Sequence, residues 1–447
     1  MKACIETYGC AANQAESEAM AGILSKEGFS PCDEPASADI IVVNTCFVKS
    51  PTEQKVLQRI RRLVSLGYGS RLIIAGCMPD ALGGRLARLA PRASLVGTHN
   101  VTRIAEAAHE ALAGRRACFT GDRAETRPGS PRVRRNGLIG ITEISEGCGG
   151  SCAYCCVRLA KGPMRCFPGA AVVEDAGAAI REGCREVWLT SQDCGSYSSG
   201  RAGLPELVES IAAIGGDFMI RVGMMNPDSA LRIAGGLSSA LNGPKAYRFV
   251  HIPLQSGSDR VLGLMRRKYR AQDFLGLVRL LREGVPGISI MTDVIAGFPG
   301  ETDGDLGETL RVIAEARPDV VNVSRFGPRP GTEAAGMPQL PDAVIKARSA
   351  AAIGLARRIS VERNQEWIGW KGPVLVTERG TKPGQCVGHN PSYKPVLLES
   401  AGSLMGKTVI AEITSAALTH LKGRIARGLT AGRSPIPCSR VSVSRKA

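Results

Sequence analysis

From residue 137 to residue 365 the chain repeats one pattern six times, and few folds accept it. Apolar, β-branched runs at 137–145, 186–190, 218–223, 247–252, 288–295 and 320–326 read as strands. Helical stretches follow each of them, at 170–182, 204–214, 228–241, 258–283, 303–316 and 341–365. Alternation at this spacing predicts parallel strands joined by crossover helices. Six units are too few for a closed eight-stranded barrel, so the expected form is a partial (β/α)6 barrel. Its lateral opening would admit a macromolecular substrate, and its active site would lie at the C-terminal ends of the strands.

The loop after the first of these strands reads EGCGGSCAYCCVRLAK and carries Cys148, Cys152 and Cys155, spaced C-x₃-C-x₂-C. Three thiolates at this spacing can hold three irons of a [4Fe–4S] cube and leave the fourth open to a small chelating molecule. A structural zinc site would want four closed ligands. Cys156 is the only nearby candidate, and adjacent thiolates rarely reach one metal together.

With Tyr154 before the third cysteine, this stretch resembles the signature of the radical S-adenosylmethionine (SAM) superfamily. The resemblance implies that SAM chelates the open iron and that an electron from the cluster cleaves it to a 5′-deoxyadenosyl radical. Other strand ends carry TSQD, RVGMMNP, HIPLQSGSD and GFPGET. On this reading Tyr154, Gln192, Asp193, Arg221, Gln255 and Gly297 contact the cofactor. Gln192 and Asp193 would accept from its ammonium group, Arg221 would pair with its carboxylate, and the turn at Gly297 would let backbone approach the adenine or ribose.

Residues 1–114 repeat the alternation on a smaller scale, with strands at 2–8, 39–44, 71–75 and 94–97, and predict an open parallel α/β domain. Cys10, Cys46 and Cys77 follow its first three strands. Carboxyl ends of neighbouring strands in such a sheet meet at one crevice, so three distant cysteines can converge there. Gly9 and Gly76 directly precede two of them, where backbone would have to approach a cluster closely. A second three-cysteine cluster site is therefore expected, against the alternative of three inert buried thiols. Cys4, Cys32, Cys118, Cys166, Cys184, Cys194, Cys386 and Cys438 show no such pattern.

The formal net charge of +16 points to a polyanionic partner, most commonly nucleic acid. No apolar run is long enough to span a bilayer, and the N-terminus has no secretory pattern. Fifteen cysteines in such a chain read as metal ligands and packing residues rather than as disulfides, in keeping with a reducing cytoplasm. Residues 115–136 read as a basic linker, either solvated or with Arg132, Arg134 and Arg135 touching phosphates. Residues 366–425 read as a small antiparallel β-barrel, with Lys371, Arg379, Lys394 and Lys407 as candidate RNA contacts and His389 and Tyr393 among them. Residues 426–447 read as a disordered basic tail.

Taken over residues 1–425, the order of these parts resembles the methylthiotransferase family. ETYGCAANQAESE, VVNTC, IIAGC, CGGSCAYC, HIPLQSGSD and GFPGET carry the match, and the last domain resembles the TRAM RNA-binding domain. WLTSQD, RVGMMNP and PRPGTEAAGM look most like the archaeal and eukaryotic branch, which acts on N6-threonylcarbamoyladenosine (t6A) at position 37 of tRNA. The resemblance implies two [4Fe–4S] clusters and two SAM molecules. One SAM methylates a sulfur carried on the cluster of Cys10, Cys46 and Cys77. The other yields the radical that removes hydrogen from C2 of the adenine, to which the methylthio group is transferred. It also implies an electron donor such as a ferredoxin or flavodoxin. The threonylcarbamoyl carboxylate should meet cations, for which Arg158, Lys161, Arg165, Arg325 and Arg329 are candidates. Two other readings stay open: the family branch that modifies a ribosomal-protein aspartate, and a non-catalytic iron–sulfur electron carrier.

Overall fold

The computed structural model describes residues 1–430 other than Ala124 and Ala401; Cys438 and most of the tail lie outside the described residues. The first domain is built on a parallel sheet: β1 (Lys2–Thr7), β2 (Ser30–Pro31), β3 (Ile40–Thr45), β4 (Leu72–Gly76), β5 (Ser94–Gly97) and β6 (Cys118–Phe119). Their spatial order is β2-β1-β3-β4-β5-β6. Every residue of β3 and β4 is buried, as expected for strands covered by helices on both faces. In register, Thr7 lies beside Asn44 and Thr45 beside Gly76. The strand ends are therefore level, and the loops bearing Cys10, Cys46 and Cys77 leave from one edge.

Residues 115–136, expected to be a solvated linker, instead form a packed strap. Cys118–Phe119 extends the sheet, and the Arg127 side chain is 1% exposed. Arg132 reaches the Ala15 carbonyl (3.0 Å) and Asp175, while Arg134 lies between Glu18 and Glu182. Acidic residues on helices of both neighbouring domains turn what looks like a phosphate-binding arginine run into an interdomain seam.

Six parallel strands follow: β7 (Ile139–Glu143), β8 (Glu186–Thr190), β9 (Met219–Val222), β10 (Phe249–His251), β11 (Ser289–Ala296) and β12 (Val320–Arg325). They pair as β9-β8-β7 and β10-β11-β12, and single bridges from Ile220 to Ala246 and from Met224 to His251 join the two halves. This is the partial barrel that the alternation predicts. The stretch 258–283 is not one helix. It breaks between Asp259–Leu264 and Ala271–Gly284, where Arg266 is left-handed (φ 56°). The break turns Arg267 back toward the cysteine loop.

The C-terminal strands β13 (Lys371–Arg379), β14 (Gln385–His389), β15 (Pro395–Glu399), β16 (Thr408–Ala416) and β17 (Leu421–Thr430) close into a barrel. It docks on the N-terminal ends of the six parallel strands and covers their floor. His389 Nδ1 lies 3.1 Å from Glu186 Oε1, Ser392 donates to the Gly287 carbonyl (2.7 Å), and Lys394 Nζ meets Asp319 at 2.8 Å. Lys394 is thus 4% exposed, a correction to its expected place on an RNA face: burying its ammonium is tolerable because Asp319 and Asn364 hold it. Lys371, Arg379 and Lys407 are exposed.

Candidate radical centre and auxiliary cysteine site

The radical loop is pinned on both sides. Gly147 (φ 71°) presses on the next segment so closely that a Cβ there would lie 2.0 Å from the Pro163 carbonyl oxygen. The Cys148 amide donates to the Gly162 carbonyl (3.3 Å) and the Ala153 amide to that of Met265 (3.1 Å). Cys148, Cys152 and Cys155 line one cavity of about 410 Å³ with Gly150, Arg158 and Glu333. Burial pushes the Cys155 thiol up to about 12, with the charges of Cys152, Cys156 and Cys148 adding to it. Among the described residues, no three His, Cys, Asp or Glu side chains converge on a point that would hold a single ion. Three thiols lining one cavity suit a cluster whose separate irons each take one sulfur.

The cofactor residues expected from the sequence divide. Gln192 Oε1 and Gln255 Oε1 are buried with no hydrogen-bond partner, so each is an acceptor held ready for a donor. Gln255 keeps its left-handed backbone (φ 63°) because its amide donates to the Asp293 carbonyl and its carbonyl accepts from Ile295. Asp193 is not a free acceptor. It is already engaged by the Asn226 amide (3.0 Å) and side chain (2.9 Å), Ser229 (2.7 Å) and Ser196 (2.8 Å). Arg221 is not brought to the cysteine loop. Its guanidinium lies over the rings of Trp188 (5.1 Å), Phe249 (5.3 Å) and Tyr393 (5.2 Å), the last from the domain on the barrel floor. Tyr154 packs edge-on against Phe298 within an apolar cluster beside the loop. A Cβ at Gly297 would lie 2.7 Å from Ile345, so helix packing accounts for this glycine.

In the first domain, one pair of buried amides organises the cysteine loops. Asn44 donates to the Asn13 carbonyl (2.8 Å) and Asn13 to the Thr45 carbonyl (3.3 Å). Asn13 Oδ1 accepts from the Cys10 amide (3.3 Å) and lies 3.5 Å from its sulfur. A Cβ at Gly9 (φ 127°) would lie 2.2 Å from Asn13 Oδ1, and one at Gly76 (φ 86°) 2.2 Å from Asn44 Oδ1. The glycines are thus required by the amide pair. Burial pushes Cys46 up to about 11 and Cys77 well above the ordinary thiol value; Cys10 adds to the first shift, Cys46 and Cys10 to the second. Cys156, the extra thiol, is buried in the same core as Phe47, Cys77 and Met78, and so roots the radical loop in the first domain.

The two sets meet across a buried junction. Lys161 donates to Glu16 (2.7 Å) and Thr98 (2.9 Å), Arg127 pairs with Glu16, Glu143 and Glu146, and Arg329 pairs with Glu53 (2.5 Å). Arg165 pairs with Asp122. Three of the five cations expected to face the substrate are therefore engaged within the protein. Arg158 and Arg325 stay exposed, with no carboxylate partner among the described residues. The sequence reading missed Lys49, exposed three residues after Cys46, whose charge reaches Asp293 in the barrel. Asp293 is in turn held by His251 (2.6 Å) and Asn322 (2.9 Å). Its neighbourhood to Cys46 was the available signal.

Family models match "Uncharacterized protein family UPF0004" over residues 2–97, "Radical SAM superfamily" over 142–313 and "TRAM domain" over 368–426. The fold resembles a radical SAM methyltransferase from Kitasatospora setae, TsrM, solved with cobalamin and a [4Fe–4S] cluster (TM-score 0.54, 16% identity, 75% of this chain and 76% of that one). Fold and domains thus define a radical SAM protein with a TRAM domain. The chain is 39% identical to a probable threonylcarbamoyladenosine tRNA methylthiotransferase of Methanothermobacter thermautotrophicus, over 89% of this chain and 93% of that one. It is 38% identical to the threonylcarbamoyladenosine tRNA methylthiotransferase of Drosophila melanogaster, over 95% of this chain and 77% of the fly protein. The chain belongs to the threonylcarbamoyladenosine tRNA methylthiotransferase family. No helix among the described residues is long and apolar enough to cross a membrane.

Proposed function

We propose that this chain is a tRNA-modifying radical SAM enzyme that places a methylthio group on C2 of t6A at position 37. The observation that carries this reading is the pairing of two three-cysteine sets across one junction, where Lys161 of the radical loop reaches Glu16 and Thr98 and Cys156 shares a core with Cys77. Cys148, Cys152 and Cys155 would hold one [4Fe–4S] cluster, Cys10, Cys46 and Cys77 the other. When bound, these groups and SAM supply what side chains cannot, a radical able to break an unpolarised aromatic C–H bond and a transferable sulfur.

The residues of the chain position, orient and exclude water. Gln192 and Gln255 offer acceptors to donors on SAM. The Asn13–Asn44 pair holds the auxiliary loops level with the radical loop. Arg158, Arg325 and Lys49 are the exposed cations left to meet the threonylcarbamoyl carboxylate, and a site built for that charge would reject a neutral adenosine. Lys371, Arg379 and Lys407 would take tRNA phosphates. An external one-electron donor, a ferredoxin or flavodoxin, completes the reading, in a cytoplasmic setting. The test is an in vitro reaction on tRNA with and without the threonylcarbamoyl group, read by mass spectrometry of nucleosides. Product only on the t6A form is expected. Equal product on both, or modification of a ribosomal-protein aspartate instead, would overturn it.

A further inference from the structure

The break between Asp259–Leu264 and Ala271–Gly284 aims a guanidinium at a cluster thiol. Arg267 Nη1 donates to Cys152 Sγ at 3.1 Å. Its Nη2 donates to Asn226 Oδ1 (2.7 Å) and its Nε to the Tyr269 hydroxyl (3.2 Å). Asn226 is itself fixed by Asp193 through two hydrogen bonds, and Tyr269 donates to a backbone carbonyl at residue 253 or 254. All three nitrogens of the guanidinium are therefore used, and two of their partners are locked from behind.

No carboxylate pairs with the half-buried Arg267 among the described residues, although the buried arginines Arg127, Arg329 and Arg348 each have at least one. A cation even partly withdrawn from water is costly without a counter-ion. The one partner here that can become an anion on loading is the Cys152 sulfur. Arg267 is in this sense built for the loaded state.

We propose that Arg267, braced by Asn226 and Asp193, is a positioning residue that sets the reduction potential of the cluster held by Cys148, Cys152 and Cys155. The inference rests on the function proposed above. A hydrogen bond and a positive charge at a ligand sulfur stabilise the more negative, reduced form, so they ease the one-electron reduction that SAM cleavage requires. The electron comes from the external donor, which is oxidised by one electron as the cluster is reduced. Asp193 thereby has a role other than the SAM contact expected from the sequence.

The test is a redox titration of the full-length holoenzyme, monitored by electron paramagnetic resonance on the signal that changes when SAM is added. In Arg267→Gln the equilibrium for reduction should fall at least tenfold, a shift of about 59 mV to more negative potential for one electron. Arg267→Lys keeps the charge but not the fork, and should fall between. Asn226→Ala should shift the potential in the same direction by less. Iron content should stay at the wild-type level in all three. A potential in Arg267→Gln equal to that of the wild type, at full iron content, would overturn the inference. So would loss of the cluster in both Arg267 variants, which would make the residue one of assembly. A wild-type holoenzyme without any SAM-responsive cluster would instead remove the functional reading beneath it.

Discussion

The two cysteine sites solve one problem in opposite ways. The radical set comes from eight consecutive residues, Cys148 to Cys155, in one loop after one strand. The auxiliary set comes from three loops after β1, β3 and β4, and depends on strand register to bring Cys10, Cys46 and Cys77 to one edge. The first is local and is tuned from outside by Arg267; the second is non-local and is held from inside by two asparagines. A local site can form with its loop, whereas the other exists only once the sheet does. The sites should therefore fail independently, and the second should be the more sensitive to packing.

The largest effect should come from removing either set. Replacing Cys148, Cys152 and Cys155 by Ala should leave about half of the roughly eight irons per chain expected for two clusters. It should also abolish SAM cleavage. Replacing Cys10, Cys46 and Cys77 should leave the other half and preserve release of 5′-deoxyadenosine, with no methylthio product. Iron analysis and chromatography of the SAM products read both. Loss of all iron in either variant would mean that the sites are not separable.

Next in size is a change that touches only the scaffold. Asn13→Ala removes the acceptor for the Cys10 amide and leaves that amide and its neighbours without partners, a cost of about 1–3 kcal/mol. We expect partial loss of auxiliary iron, with the radical cluster and SAM cleavage intact. Equal loss at both sites would erase the distinction between a local and a non-local site.

That distinction also explains what the sequence disclosed. The strand–helix alternation gave the partial barrel and the first sheet, because both depend on local periodicity. The cysteine positions were legible because each lies on the connection that leaves the end of a strand. Arg221 and Lys394 were not, because their surroundings are made by the barrel floor and the C-terminal domain, which meet only in the fold. The break at Arg266 carries no Gly or Pro within 264–270 to announce it. The basic end of the strap, Arg132 to Arg135, reads as a solvated linker or a phosphate contact because its carboxylate partners lie on helices distant in sequence.

A smaller effect should separate both sites from tRNA capture. Each of Lys371→Ala, Arg379→Ala and Lys407→Ala should weaken tRNA binding a few-fold and reduce the salt slope by about one, with iron unchanged at both sites. Lys394→Met should leave that slope alone and loosen the floor. Filter binding over a range of salt checks this. Removing the whole C-terminal domain is the poorer test, since it would expose Trp188, Phe249 and the Arg221 guanidinium.

The smallest effect concerns the junction that holds the two sites opposite each other. Burial opposes ionisation of Glu16 and Glu146. For Glu16, the charges of Lys161 and Arg127 override it; for Glu146, the His99 hydrogen bond and the Arg127 charge do so. Both carboxyls are left below the ordinary value of 4.5. Their contribution to stability is complete above that value and is lost as pH falls through the lower, folded one. Glu143 runs the other way. Burial outweighs its arginine and raises it, so its contribution is present at low pH and is lost as pH rises through its folded value. The depressed pair, Glu16 and Glu146, loses stability on acidification, and Glu143 opposes that loss. Each proton taken up on unfolding is worth about 1.4 kcal/mol per pH unit. Glu16→Gln should destabilise the chain by about 3 kcal/mol at neutral pH, because it leaves Lys161 buried without its carboxylate. It should also flatten the fall in stability below pH 5, whereas Glu143→Gln should steepen it, since it removes the opposing group. Denaturant titrations of both variants from pH 7 down to about pH 3, with iron followed at each site, would show whether the junction gives way before either cluster. An acid slope unchanged in Glu16→Gln would place the pH sensitivity elsewhere and leave the two sites joined by packing alone.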